Sequence, residues 1–345
     1  MIDAMCLEME YRKDYLKGET ITTIYFGGGT PSLLSTKHLN IFLEKINKLF
    51  HVNNFPEVTL EANPDDLKSK KLKELKSLGF NRLSIGSQSF HNSVLSYLNR
   101  IHTAEESKKA LMNARTAGFD NINMDIIYAI KPDYIKILMK DLEEMHQLKP
   151  EHISAYTLTI ESRTVFGNWL KNNKIKEIPD EQAAAEYNYL SQKLVNWGYD
   201  HYETSNYALP GYMSKHNVNY WLQVPYLGIG PSAHSYNQNV RQFNISNNAI
   251  YIKTIQRGRI PATFDYLSRA NRINERILMG LRTKWGCDLF RIKDDFGLDI
   301  LEENRTYIQK LENEGLISLN KGILILNTPG KLFADKIASD LFVIE

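Results

Sequence analysis

The sequence is short of cysteine. Cys6 and Cys287 are the only two in 345 residues, too few and too far apart for a disulfide framework or a paired metal-binding motif. A thiolate-held iron–sulfur cluster is therefore expected to lack its ligands in this chain. Long apolar runs are missing too. None approaches the roughly 18 residues that span a bilayer, and no signal-type stretch opens the chain, which points to a cytoplasmic protein. Charge of one sign is the third absence. With 42 basic and 40 acidic residues the formal net charge is +2, so nothing in that balance requires nucleic acid. What remains is an ordinary globular composition, 43% hydrophobic and 24% charged. It excludes wholesale disorder and leaves room for two or three domains of about 150 residues.

The first half alternates strands and helices. Thr20–Phe26 is β-branched and aromatic, and it runs into Gly27-Gly28-Gly29-Thr30-Pro31 before Ser35 caps a helix. Val58–Ala62, Arg82–Gly86, Asn121–Tyr128 and His152–Leu158 read as further strands. Between them lie a Lys-rich helix closed by Gly79, a helix opened by the capping box Thr103-Ala104-Glu105-Glu106 and closed by Gly118, and a helix over Tyr134–Leu148. This rhythm predicts an α/β fold of βαβ units, as a parallel sheet or barrel.

The start breaks the rhythm. Ile2, Met5, Met9 and Leu16 share one helical face, so the chain opens in an amphipathic helix with neither a preceding strand nor a capping signal. Either this is simply an N-terminal helix, or an upstream strand-and-loop segment is missing. Beyond the barrel-like half, Asp180–Trp197 reads as a long helix ended by Gly198, and Tyr199 to Asn248 shows only weak periodicity. From Tyr266 the pattern is helical again, and Asn320-Lys321-Gly322 turns a hairpin between Ile317–Leu319 and Ile323–Leu326. Helices followed by a hairpin suggest a small winged-helix-like unit, whose mixed local charge gives no reason to infer DNA binding.

Polar residues fall at the strand ends. Gly27–Thr30, Glu61, Gln88 and Asp125 each stand at or just after a predicted strand, where ligands gather in parallel α/β folds. Consecutive glycines expose amides suited to a carboxylate or phosphate, and Glu61 and Asp125 suit ribose hydroxyls or an ammonium group.

At these residues the sequence resembles a known family. YFGGGTPS (25–32), LEANP (60–64), RLSIGSQSF (82–90), LNRIH (98–102), NMDIIY (123–128) and EHISAYTLTIE (151–161) resemble the radical S-adenosylmethionine (SAM) enzymes of the oxygen-independent coproporphyrinogen III oxidase group. The likeness continues through residues 202–221, 226–236 and 275–283, in order along the chain. His216-Asn217-Val218-Asn219-Tyr220-Trp221 resembles the HNxxYW block of that family's heme-chaperone branch. The resemblance implies a partial (βα) radical SAM barrel over 1–165 that lacks its first strand, an α+β middle region over 166–265 and a winged-helix-like unit over 266–345. It implies SAM contacts from Gly28, Gly29, Thr30, Glu61, Gln88, Arg100 and Asp125, and heme contacts from His216 as axial ligand with Tyr220 and Trp221 against the porphyrin. It further implies a [4Fe–4S] cluster, heme and an apo-hemoprotein acceptor as partners, with a transient membrane-protein partner and the oligomeric state left open.

Two departures stand out. The family's C-x3-C-x2-C loop is not found, so radical catalysis is not expected of this chain as given; truncation upstream is the favoured explanation, because an incomplete barrel would expose the edge of Thr20–Phe26. Ala129-Ile130-Lys131-Pro132 stands where the family reads Gly-Leu-Pro, so this turn and the adenine contacts are expected to differ. The expected function is heme binding and delivery to apo-hemoproteins. Conversion of coproporphyrinogen III to protoporphyrinogen IX is the enzymatic alternative, and a SAM or nucleotide sensor the third.

Overall fold

The computed structural model describes residues 1–132 and 134–344. Through residue 157 the chain runs α1 (Ile2–Tyr11), β1 (Ile21–Phe26), α2 (Thr36–Leu49), β2 (Val52–Ala62), α3 (Ser69–Ser77), β3 (Arg82–Gln88), α4 (Asn92–Tyr97), α5 (Ala104–Thr116), β4 (Ile122–Tyr128), α6 (Ile135–Leu148) and β5 (His152–Thr157). It continues as α7 (Val165–Lys171), α8 (Asp180–Asn196), β6 (Asp200–Glu203), β7 (Asn206–Ala208), α9 (Lys215–Trp221), β8 (His234–Tyr236), β9 (Val240–Asn244), α10 (Asn248–Gln256) and β10 (Ala262–Tyr266). The last stretch holds α11 (Arg269–Leu281), β11 (Cys287–Asp288), α12 (Leu289–Phe296), α13 (Ile300–Glu303), α14 (Arg305–Asn313), β12 (Ile317–Asn320), β13 (Ile323–Leu326) and α15 (Ala334–Asp340). Two compact units result, one of residues 25–34 and 57–214, the other of 1–24, 35–56 and 215–345.

The first unit is built on a curled sheet in the order β1-β2-β3-β4-β5-β7-β6. β2 to β5 pair in parallel, and the sheet turns antiparallel at β7 and β6. Parallel neighbours need crossovers, which α3, α5 and α6 supply. Leu60, Leu83, Ile85, Ile122, Met124, Ile126 and Ile153 are fully buried, and alternation along each strand places them on one face. This is the expected α/β partial barrel. The helix signals hold: Ser35 accepts from the His38 amide, Thr103 and Glu106 form the reciprocal capping box, and Gly79, Gly118 and Gly198 are left-handed just after α3, α5 and α8. β2 begins six residues before the expected Val58. Its leading part is exposed and contains Pro56, so it lacks the apolar alternation that marks a strand in sequence.

In the second unit α1 corrects one expectation. Its buried face carries Ala4, Glu8 and Met9, and Arg12, which ends the helix, is buried as well. Ile2 and Met5 are only partly buried, and Leu16 lies beyond the helix. Cys6 is half-buried. The apolar stripe misled because the face that packs holds a charged pair. Glu8 accepts from Arg12 at 3.2 Å, from the Gly230 amide at 2.9 Å, from Asn244 at 2.7 Å and from the Tyr251 hydroxyl at 2.5 Å. Arg12 also donates to Ser235 at 3.0 Å and to Gln242 at 2.5 Å. The weakly periodic stretch after Tyr199 owes its silence to elements of three to seven residues, too short to show a period.

Residues 269–341 form the expected winged-helix-like unit. β11, β13 and β12 make a small antiparallel sheet. Lys321 and Gly322 turn the hairpin with φ of 50° and 81°, the pair of left-handed residues a type I′ turn requires. Ile273, Ile277, Leu281, Ile292, Ile308, Leu324 and Ile337 are among its core residues.

Candidate functional site

Four residues in register carry the polar chemistry of the parallel sheet. Glu61 of β2 pairs with Ser84 of β3, Ser84 with Asn123 of β4, and Asn123 with His152 of β5. Strand alternation sets this row on the face opposite the apolar layer. Asn123 is its hub. Its Nδ2 donates to Ser84 Oγ at 2.8 Å and to Asp125 Oδ1 at 2.7 Å, while its Oδ1 accepts from Ser154 at 3.0 Å and from His152 Nδ1 at 2.7 Å. His152 must therefore carry its hydrogen on Nδ1, which leaves Nε2 to accept from the Tyr202 hydroxyl at 2.8 Å. Burial holds His152 well below the ordinary imidazole range, with the Arg82 charge acting the same way, so the ring is neutral.

Asp125 stands two residues along the same face. Burial pushes its carboxyl up to about 6; the Asn123 hydrogen bond opposes the shift, and the charge of Glu61 adds to it. Glu61 itself is fixed at both oxygens, Oε1 by the Tyr25 hydroxyl at 2.7 Å and Oε2 by the Gly28 amide at 3.2 Å. The glycine triplet permits that meeting. A Cβ on Gly27 would lie 2.8 Å from Glu61 Oε1 and 2.6 Å from the Tyr25 ring, and Gly28 is left-handed at φ 79°. Gly29 is exposed, and Thr30 opens the short turn at residues 31–33.

Gln88 and Arg100 both come close to Gly86 near the end of β3. A Cβ on Gly86 would stand 3.0 Å from Gln88 Nε2 and 3.5 Å from Arg100 Nη2. Gln88 is buried and left-handed at φ 64°, where the β3–β4 register shifts. The next two residues are pinned from below, the Ser89 hydroxyl at 2.7 Å and the Phe90 amide at 2.6 Å from the buried Asp141 of α6. Gly28, Glu61 and Asp125 are thus linked by contact and by field, with Gln88 and Arg100 grouped at the neighbouring strand end. The arrangement offers acceptors for an ammonium or hydroxyls, and loop amides with a cation for a carboxylate. At the departing turn Ala129 keeps a left-handed backbone at φ 54°, and its amide donates to the buried Glu186 at 2.7 Å.

The second unit carries the histidine block on α9, a helix none of whose residues is buried. His216 is engaged at both ring nitrogens, Nδ1 with Thr23 Oγ1 at 2.9 Å and Nε2 with the Tyr220 hydroxyl at 3.1 Å. The two rings meet edge-on at 4.8 Å, and Tyr220 meets Tyr226 edge-on at 4.6 Å. Trp221 ends the helix half-buried. Among the described residues no group of three or more His, Cys, Asp or Glu could hold a metal ion. Cys287 is buried, its thiol pushed up to about 12 by desolvation, and Cys6 lies on α1. These two thiols do not fit a cluster that takes three. Sequence reasoning missed Tyr25, Thr23, Asn123 and His152. The last two had a signal, polar residues at alternate positions of otherwise apolar strands; Thr23 and Tyr25 had none.

Two family models match the chain, the radical SAM superfamily over residues 8–144 and the HemN C-terminal domain over 267–333. The heme chaperone HemW of Lactococcus lactis subsp. lactis (strain IL1403) is 34% identical over 299 residues, which cover 87% of this chain and 79% of the relative. The chain belongs to the HemW family. The heme chaperone HemW of Bacillus subtilis (strain 168) is 32% identical over 319 residues, covering 92% and 84% of the two chains. Coproporphyrinogen III oxidase (HemN) from Escherichia coli, described as a radical SAM enzyme, matches with a TM-score of 0.83 at 22% identity over 99% of this chain and 82% of its own. That likeness shows that the HemW family member shares the HemN fold.

Proposed function

We propose that the chain binds heme through His216 and passes it to apo-hemoproteins, and that its partial barrel holds SAM. The observation that carries the proposal is the likeness to heme chaperones along most of both chains. The geometry supports it. His216 sits on a helix with no buried residue, so a planar ligand can approach, and Tyr220 and Trp221 supply ring surface beside it. In the barrel, Glu61 is assigned to the SAM ammonium, Asp125 to ribose hydroxyls, Arg100 with the Gly28 and Gly29 amides to the carboxylate, and Thr30 and Gln88 to the flanks. SAM, when bound with a reduced [4Fe–4S] cluster, supplies an organic radical; this chain's two thiols do not fit that cluster. The proposal includes domain limits near 165 and 265, residence in the cytoplasm and an acceptor that is soluble or membrane-held.

Ferric heme titrated into the protein, followed at its Soret band, tests the central assignment. His216→Ala should weaken binding by about tenfold or more, in line with the loss of a metal ligand. Unchanged affinity would remove His216 from the site, and turnover of coproporphyrinogen III in place of heme binding would favour the oxidase.

A further inference from the structure

We infer that Thr23 and Tyr220 prepare His216 as a covered ligand: Thr23 positions the ring, and Tyr220 caps the coordinating nitrogen with a hydrogen bond that heme displaces. The inference rests on the proposal that His216 binds heme, and it concerns how that residue is made ready and how the iron gains and loses it.

A histidine on an exposed helix turns freely about two side-chain bonds. Here both are fixed, because the ring is bonded at each end, to Thr23 Oγ1 at 2.9 Å and to the Tyr220 hydroxyl at 3.1 Å. The chemistry of the partners assigns the hydrogens. A phenol is the stronger acid of the two hydroxyls, so Tyr220 donates to Nε2 and the ring hydrogen on Nδ1 is donated to Thr23. Nε2 is then a lone pair facing a phenol, the form a heme iron requires.

The two bonds differ in permanence. Thr23 belongs to β1, a strand of the sheet, and cannot follow the ring if the ring moves. Tyr220 stands one turn along α9 from His216 and is 40% exposed, so its ring can swing outward without opening a core. Leu222 and Val224, just past the helix in sequence, are 59% and 39% exposed. The identity of the positioning group matters as well. Metal-bound histidines usually donate their second N–H to a carboxylate or a carbonyl, which strengthens the ligand. A threonine hydroxyl is a weaker acceptor and leaves an ordinary neutral imidazole, suited to a ligand that must be given up again.

The test combines imidazole-nitrogen NMR of the heme-free protein with heme titration, on variants whose fold is checked by circular dichroism. The wild type should show the Nδ1–H tautomer. Thr23→Val should lose that preference and bind heme about tenfold more weakly, with Thr23→Ser restoring both. Tyr220→Phe should keep the tautomer and bind about fivefold more tightly, because heme no longer displaces a hydrogen bond. If Thr23→Val and Tyr220→Phe bind as the wild type does while His216→Ala does not, the positioning idea is overturned and the heme assignment stands. If His216→Ala also binds as the wild type does, both fall.

Discussion

Asp125 shows how one residue can be costly to the fold and useful to the site. Its carboxyl titrates near 6, above the ordinary value of 3.8, because it is desolvated and faces Glu61. The folded state therefore takes up a proton between those values that the unfolded state does not hold, and stability falls as pH rises from about 4 to 6. The full penalty, on the order of 3 kcal/mol for a shift of about two units, applies at pH 7. Asp125→Asn keeps an acceptor for Asn123 and removes the charge. It should raise the melting temperature at pH 7 and change it little at pH 4, while weakening SAM binding measured by calorimetry. An equal gain at both pH values would contradict this origin. Ala129 offers a second case. At φ 54° it occupies a conformation that costs a residue with a Cβ about 1 kcal/mol or more. Ala129→Gly should stabilise the protein by about 0.5–1 kcal/mol in denaturant unfolding, the greater chain entropy of glycine cancelling part of the gain.

At the scale of elements, α1 is held by a buried charged pair in addition to the apolar packing of Ala4, Met5 and Leu7 with Tyr251 and Ile255. Glu8 and Arg12 are both buried and together bind Ser235, Gln242 and Asn244 of β8 and β9 and Tyr251 of α10. Removing one member of such a pair leaves the other buried and uncompensated, so Glu8→Ala and Arg12→Ala should each cost about 3–5 kcal/mol. The double variant should cost clearly less than the sum, by about 1–3 kcal/mol in a double-mutant cycle. Strict additivity would mean that the two residues stabilise the helix separately. The same helix marks a limit of legibility. β3, β4 and β5 were readable because their apolar positions alternate or run together, and the caps because Ser35 and the Thr103 box have local chemistry. The helix of α1 was legible, but its buried Glu8 and Arg12 were not, because they find their partners more than 200 residues away, which no local pattern records.

For the whole molecule, the candidate barrel residues were legible because parallel strands deliver their ends to a common side; Glu61 and Asp125 needed no more than that. Tyr25 and Thr23 were not, since a tyrosine or threonine in a strand is usually explained by β-propensity alone. The two thiols give a global probe of folding. Cys287 is buried in the winged-helix-like core, with its thiol at about 12, and Cys6 is half-buried with its thiol raised by burial. Because the thiolate is the reacting species, native protein should be alkylated slowly and at Cys6 alone, with Cys287 reacting only as that core opens. Mass spectrometry across a urea series should show the second label appearing with the loss of ellipticity; early labelling of Cys287 would mean that its unit opens on its own.

The hub at Asn123 has one more consequence. Its amide is neutral, as are Ser84, Ser154, His152 and Tyr202 around it, and Asp125 is the ionisable partner it also holds, so the orientation of the set is written mainly in dipoles. Dissolved salt screens exposed ion pairs such as Arg282 with Asp335, but it has little hold on a buried set of mostly uncharged donors and acceptors. The floor of the barrel should therefore keep its pattern of hydrogen bonds from dilute buffer to molar salt, while the surface around it loosens.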